Sequence, residues 1–148
     1  MSMIAINPAR PGFSTISPYL IVENPEEQLQ FIKTVFGPEI TEPVKINPDG
    51  RAELKIGNTS LIVAKAEGTW PGRTSTLYVY VKNINETYIK ALGAKAKALF
   101  EPVERYNGDL ECGFEDNSSN LWICARFEKQ LSFEVMMERL KNQGIASS

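Results

Sequence analysis

The chain contains no histidine. That single absence excludes histidine triads, imidazole acid–base chemistry and histidine-ligated metal centres. Cysteine is scarce: Cys112 and Cys124 are the only two in 148 residues. A small secreted scaffold normally carries more, so the pair reads as buried thiols in a reducing compartment. Neither sign of charge dominates, since 16 basic and 18 acidic residues leave a formal −2. Without a basic field, nucleic acid and anionic lipid are not expected partners. No apolar run approaches the ~20 residues needed to cross a bilayer. The first residues lack a basic segment followed by an apolar one, so a signal peptide is not expected and the expected location is cytoplasmic. What is present, 43% hydrophobic and 23% charged, is the balance of a soluble globular domain.

Local signals divide the chain. Residues 1–15, with Pro8, Pro11 and Gly12, read as an irregular N-terminal arm. Ile16 to Glu23 is apolar and partly β-branched, which suggests a strand. Asn24 can cap a helix, Pro25 suits its first position, and Glu27 completes a capping-box arrangement. Leu29, Ile32, Val35 and Phe36 follow at helical spacing, and Gly37-Pro38 ends the run. Residues 39–47 form a weaker strand, and 51–56 with 60–66 suggest a hairpin across Gly57-Asn58. The plan then recurs. Residues 76–81 are a strand, Asn83 with Glu86 opens a helix carrying Tyr88, Ile89 and Leu92, and Gly93 closes it. Residues 95–103 make a poor strand, and 109–116 with 120–127 make a hairpin across Asn117-Ser118-Ser119.

The two halves match at an offset of 59–60 residues: Val22-Glu23-Asn24 with Val81-Lys82-Asn83, Glu27 with Glu86, and 60–64 with 120–124. A fixed offset means two copies of one supersecondary unit, here β-α-β-β-β. The expected boundaries are an arm at 1–15, a first module at 16–66, a linker at 67–75, a second module at 76–127, and a C-terminal helix and tail at 128–148. Ser132 can cap that helix, whose stripe of Phe133, Met136, Met137 and Leu140 packs either on its own domain or on another subunit.

Seven short pieces carry a family likeness. They are Pro18-Tyr19-Leu20, Phe36-Gly37, Ala52-Glu53-Leu54-Lys55-Ile56-Gly57, Leu77-Tyr78-Val79-Tyr80-Val81, Glu101-Pro102-Val103, Tyr106-Asn107-Gly108-Asp109 and Asp116-Asn117-Ser118-Ser119-Asn120-Leu121-Trp122. In that order, within the repeat, they resemble the PhnB-like branch of the vicinal-oxygen-chelate superfamily of glyoxalases, extradiol dioxygenases and bleomycin-resistance proteins. The resemblance implies an α+β fold: two β-α-β-β-β modules forming one cupped, mostly antiparallel sheet, plus a C-terminal helix. It also implies a homodimer. Metal-binding relatives place ligands at positions that fall here on Ser17, Val63, Thr76 and Ile123. None is histidine or glutamate, and Val63 and Ile123 have no donor atom. Arg51 and Asn120 stand where the family often has histidine. The expectation is therefore a degenerate metal site with no metal and no cofactor.

Strand parity supplies a candidate cleft. With Leu20 and Val22 packed on the first helix, Ser17, Tyr19 and Ile21 face the other way. Leu77, Val79 and Val81 likewise turn Thr76, Tyr78 and Tyr80 outward. Ala52, Leu54 and Ile56 leave Arg51, Glu53 and Lys55, and Leu110, Cys112 and Phe114 leave Glu111. The second hairpin should set Cys112 opposite Cys124 and Phe114 opposite Trp122. Val63, Lys65 and Ile123 are placed on the open face as well. The candidate ligand-binding residues are Tyr19, Arg51, Glu53, Tyr78, Tyr80 and Glu111, a set of aromatics and charges suited to an unidentified small molecule. Sheet packing is the competing reading of the tyrosines, and cross-strand pairing that of the charges. The expected function is metal-independent small-molecule binding, with catalysis disfavoured but left open. The alternative is a lyase- or dioxygenase-like enzyme with unusual ligands or with Glu53 or Glu111 as base.

Overall fold

A computed structural model describes residues 7–144. The chain divides after Thr74 into two compact units. The first holds β1 (Tyr19–Val22), α1 (Pro25–Phe36), a 3₁₀ turn (Gly37–Glu39), β2 (Ile40–Ile46), β3 (Ala52–Ile56) and β4 (Thr59–Lys65). The second holds β5 (Thr76–Tyr80), α2 (Ile84–Gly93), β6 (Lys97–Glu104), β7 (Leu110–Glu115), β8 (Leu121–Arg126) and α3 (Phe133–Asn142). Among the described residues the strands form two four-stranded sheets, ordered β1-β4-β3-β2 and β5-β8-β7-β6. In each, the first and last strands of the module pair in parallel and the other ladders are antiparallel. The α+β fold of two β-α-β-β-β modules with a C-terminal helix is thus present, and each module closes its own mixed sheet.

The same device opens both module helices. Asn24 Oδ1 accepts from the Glu27 amide at 3.1 Å, and Asn83 Oδ1 accepts from the Glu86 amide at 3.0 Å. Each cap satisfies one orphan donor and typically contributes about 1 kcal/mol. α1 buries Leu29, Phe31, Ile32, Val35 and Phe36. It ends because Pro38 offers no amide; Gly37 itself stays right-handed at φ −47°. α2 departs from expectation. It buries Ile84, Thr87 and Ala91, while Ile89 is 68% exposed and Leu92 also lies outward. Thr87 and Ala91 are one turn apart, and their small side chains bring the helix close to β6 and β7. Gly93 does not make the closing turn either. It is the last helical residue, and the left-handed position falls on Lys95 at φ +71°.

The second hairpin has the expected register, with Cys112 opposite Cys124 and Phe114 opposite Trp122. All four side chains are fully buried. Its turn is organised by Asp116. One carboxylate oxygen accepts from the Ser118 and Asn120 amides at 2.8 and 3.0 Å, and the other accepts from the Trp122 indole N–H at 2.8 Å. Buried Asn120 in turn accepts from the Ser75 amide at 2.8 Å, which fixes the entry to β5. α3 starts at Ser132, whose hydroxyl accepts from the Val135 amide. No residue of α3 is buried, and Arg139 ties it to Glu104 at 2.7 Å.

Candidate functional site

The six candidate residues gather as two sets of three, one on each module. In the first module Tyr19 pairs across the ladder with Ile62, and Ile62 with Glu53. The adjacent row, Leu20, Val63 and Ala52, is buried. Val63 therefore packs on the helix side, contrary to the parity reading, and Lys65 falls in register with buried Val22. The cause is hairpin length. β3 and β4 join through two residues, Gly57 and Asn58, whereas β7 and β8 join through the longer turn that Asp116 builds. Tyr78 accordingly pairs with Ile123, and the modules superimpose at an offset of 59 in their first strands and 61 in their last. A single offset of 59–60 misplaces β4 by one residue, which reverses its faces.

On that face the Arg51 guanidinium pairs with Asp49 at 2.7 Å and donates to the Tyr19 hydroxyl at 3.5 Å. It also lies 6.0 Å from the Tyr19 ring centre. The Tyr19 bond and then Asp49 hold Arg51 above its ordinary pKa. A guanidinium only donates, so Tyr19 accepts here and keeps its own proton to give. Asn47 donates to Glu53 at 2.5 Å. Arg51 and Glu53 border a cavity of about 710 Å³, together with Arg10, Phe13, Ser17 and Lys45. The N-terminal arm forms one of its walls, held by the Ser60 hydroxyl donating to the Gly12 carbonyl.

In the second module the equivalent tyrosine behaves oppositely. The Tyr78 hydroxyl donates to Glu111 at 2.5 Å, and Arg105 Nε donates to the other Glu111 oxygen at 2.9 Å. Burial, followed by the Glu111 hydrogen bond and charge, raises the Tyr78 pKa well above the usual phenol range. Tyr80 meets Tyr78 edge-on with ring centres 5.5 Å apart. The two rings are 49% and 62% exposed, so they are not core. Arg105 stacks over Phe100 at 4.6 Å. Phe100 in turn lies against Gly113, where a Cβ would stand 2.4 Å from its ring. Sequence reasoning missed Arg105, Phe100 and Gly113. β6 slips register on both sides of Phe100, so simple alternation did not reveal its open face.

The residues at the positions where metal-binding relatives place ligands do not fit a metal. Ser17 borders the first cavity, Val63 is buried, and Thr76 and Ile123 lie on the Tyr78 side of the second sheet. Ile62, the structural counterpart of Ile123, has no donor atom either. Among the described residues, no group of three or more Cys, Asp or Glu side chains is placed to hold a metal ion. Two hydroxyls without imidazole or carboxylate are a poor donor set for a catalytic divalent ion.

No protein-family model and no curated protein matches the chain. Solved structures match in fold. A glyoxalase/bleomycin resistance protein from Albidiferax ferrireducens T118 aligns with TM-score 0.65 and 15% identity, over 78% of this chain and 100% of that one. TioX from Micromonospora sp. ML1 aligns at 0.62 with 17% identity, covering 76% and 98%. A glyoxalase/bleomycin resistance protein/dioxygenase from Nocardioides aligns at 0.57 with 16% identity, covering 88% and 95%. At these identities the shared property is the fold. No helix among the described residues is long and apolar enough to cross a membrane.

Proposed function

We propose that the chain is a metal-independent small-molecule-binding protein of the glyoxalase/bleomycin-resistance type, nearest the PhnB-like branch, cytoplasmic and homodimeric. The observation that carries the reading is the cavity of about 710 Å³ bordered by Arg51 and Glu53 on the open face of the first sheet. A pocket of this size with a few convergent polar groups is what small-ligand recognition needs. The unsuitable donor set supports binding without a metal. The enzymatic alternative narrows to one base. Both Glu111 oxygens already accept hydrogen bonds, one from Tyr78 and one from Arg105, so this carboxylate is engaged within its own sheet. Glu53 alone of the two borders the cavity.

The test combines elemental analysis of protein purified without chelator with a thermal-shift screen of a metabolite and drug library. The expected result is no stoichiometric metal and at least one stabilising compound. One metal per chain would overturn the metal-free reading, and a screen with no stabilising compound would overturn the binding reading.

A further inference from the structure

We infer that the cavity of the first module takes a small organic acid, its carboxylate held by Arg10 and Lys45 and its apolar body lying against Phe13 and Ile62. The inference rests on the small-molecule-binding role proposed above and names the class of ligand. The first line of argument compares the two copies of the repeat. Lys45 pairs with Glu53 across β2 and β3, and Phe100 pairs with Gly113 across β6 and β7. Glu53 and Gly113 are equivalent, because they sit opposite Ile62 and Ile123 respectively. The second module uses its pair to fill the space over β7: glycine admits the phenylalanine ring, and Arg105 caps that ring. The first module places a lysine and a glutamate at the same point, and a cavity of about 710 Å³ opens beside them. At this point of the repeat the second module carries a packed ring, and the first carries charged side chains beside a cavity.

The second line is charge. Of the cavity's anions, Asp49 is neutralised by Arg51 at 2.7 Å, and Glu53 accepts from Asn47. Arg10 and Lys45 line the same cavity and form no ion pair among the described residues. The lining carries three cations, Arg10, Lys45 and Arg51, against two anions, Asp49 and Glu53, and this surplus of positive charge favours an oxyanion over an ammonium group. Phe13 and Ile62 supply apolar lining for the rest of the molecule. The volume lies within the roughly 300–1,000 Å³ typical of small-ligand pockets.

The test titrates the full-length chain at low salt with sodium benzoate, benzylamine and benzyl alcohol, three probes of one shape and different charge, followed by amide NMR. Benzoate is expected to shift the amides of residues 10–17 and 45–53 saturably, and added sodium chloride should weaken it. Arg10→Gln and Lys45→Gln should each weaken benzoate about threefold or more, as for one exposed charge-assisted contact. Arg10 lies in the arm outside every strand, so its variant keeps the fold even if the Lys45 variant does not. Benzylamine or benzyl alcohol binding there as tightly as benzoate, or both variants binding benzoate like the parent, would overturn the ligand class. The binding role would still stand if the library screen gives a hit elsewhere. Failure of every probe and every library compound would overturn both.

Discussion

Tyr78 and Tyr19 occupy the same place in the repeat, and their neighbours assign them opposite hydrogen-bonding roles. Tyr78 donates to a carboxylate, so losing its proton costs both that bond and a like-charge repulsion. Its folded pKa is raised, chiefly by burial and then by Glu111. Below an ordinary tyrosine pKa of ~10 both states hold the proton and the stabilisation is fully present. As pH rises past that value the unfolded chain releases its proton first, and stability falls until the folded phenol also ionises. Denaturation melts between pH 9 and 12 should show a steeper alkaline loss for the parent than for Tyr78→Phe. Equal slopes would mean that Tyr78 is not held in its neutral form. Gly113 is a second residue whose role is spatial. Gly113→Ala puts a methyl inside the Phe100 ring, and displacing that ring should cost about 1–3 kcal/mol. Urea melts of the variant should show that loss, and Phe100→Ala should then cost less in the Gly113→Ala background than in the parent. Additive losses would show that the two side chains do not compete for one space.

At the scale of elements, α2 is closed by the wrong residue for its backbone. Lys95 sits at φ +71° after the helix, a conformation glycine adopts without a Cβ clash. Lys95→Gly should stabilise the chain by about 0.5–1 kcal/mol, net of the extra freedom glycine has when unfolded. A melting temperature that stays level or drops would show that Lys95 has a compensating role at that turn. The contrast between caps and faces explains how much was legible in the sequence. Asn24 with Glu27 and Asn83 with Glu86 act through atoms three residues apart, so both helices could be read locally. The second hairpin could be read as well, because the apolar members of both strands coincide at one register. The candidate site was harder because it depends on non-local pairings. β1 and β4 lie some forty residues apart in sequence, and their parallel register decided whether Ile62 or Val63 faces Tyr19. The bulged β6 hid Phe100, and with it the reason for a glycine in β7. On α2, hydrophobicity pointed to Ile89, but close packing chose the smaller Thr87 and Ala91.

At the scale of the whole molecule, α3 argues for association. Its stripe of Phe133, Met136, Met137 and Leu140 had two readings, packing on its own domain or contact with another subunit. Met136, Met137 and Leu140 are half-buried, while Phe133 at the start of the stripe is 70% exposed and Val135 beside it 42%. A ten-residue helix is marginal by itself in water, and an amphipathic face normally finds an apolar partner. The Ser132 cap and the Arg139–Glu104 pair locate the helix, and Phe133 and Val135 are left exposed at its first turn. A second copy of the chain is the partner that the family resemblance implies, and closed two-fold pairing is the commonest form of self-association. Light scattering at micromolar concentration should therefore give twice the 16.5 kDa chain mass. Phe133→Glu would place a charge in that contact and should weaken the dimer about tenfold or more, while leaving the monomer's thermal unfolding little changed. A single species at 16.5 kDa that does not change on dilution would remove the dimer. A dimer unaffected by Phe133→Glu would place the contact on another face, such as the one where α2 exposes Ile89 and Leu92.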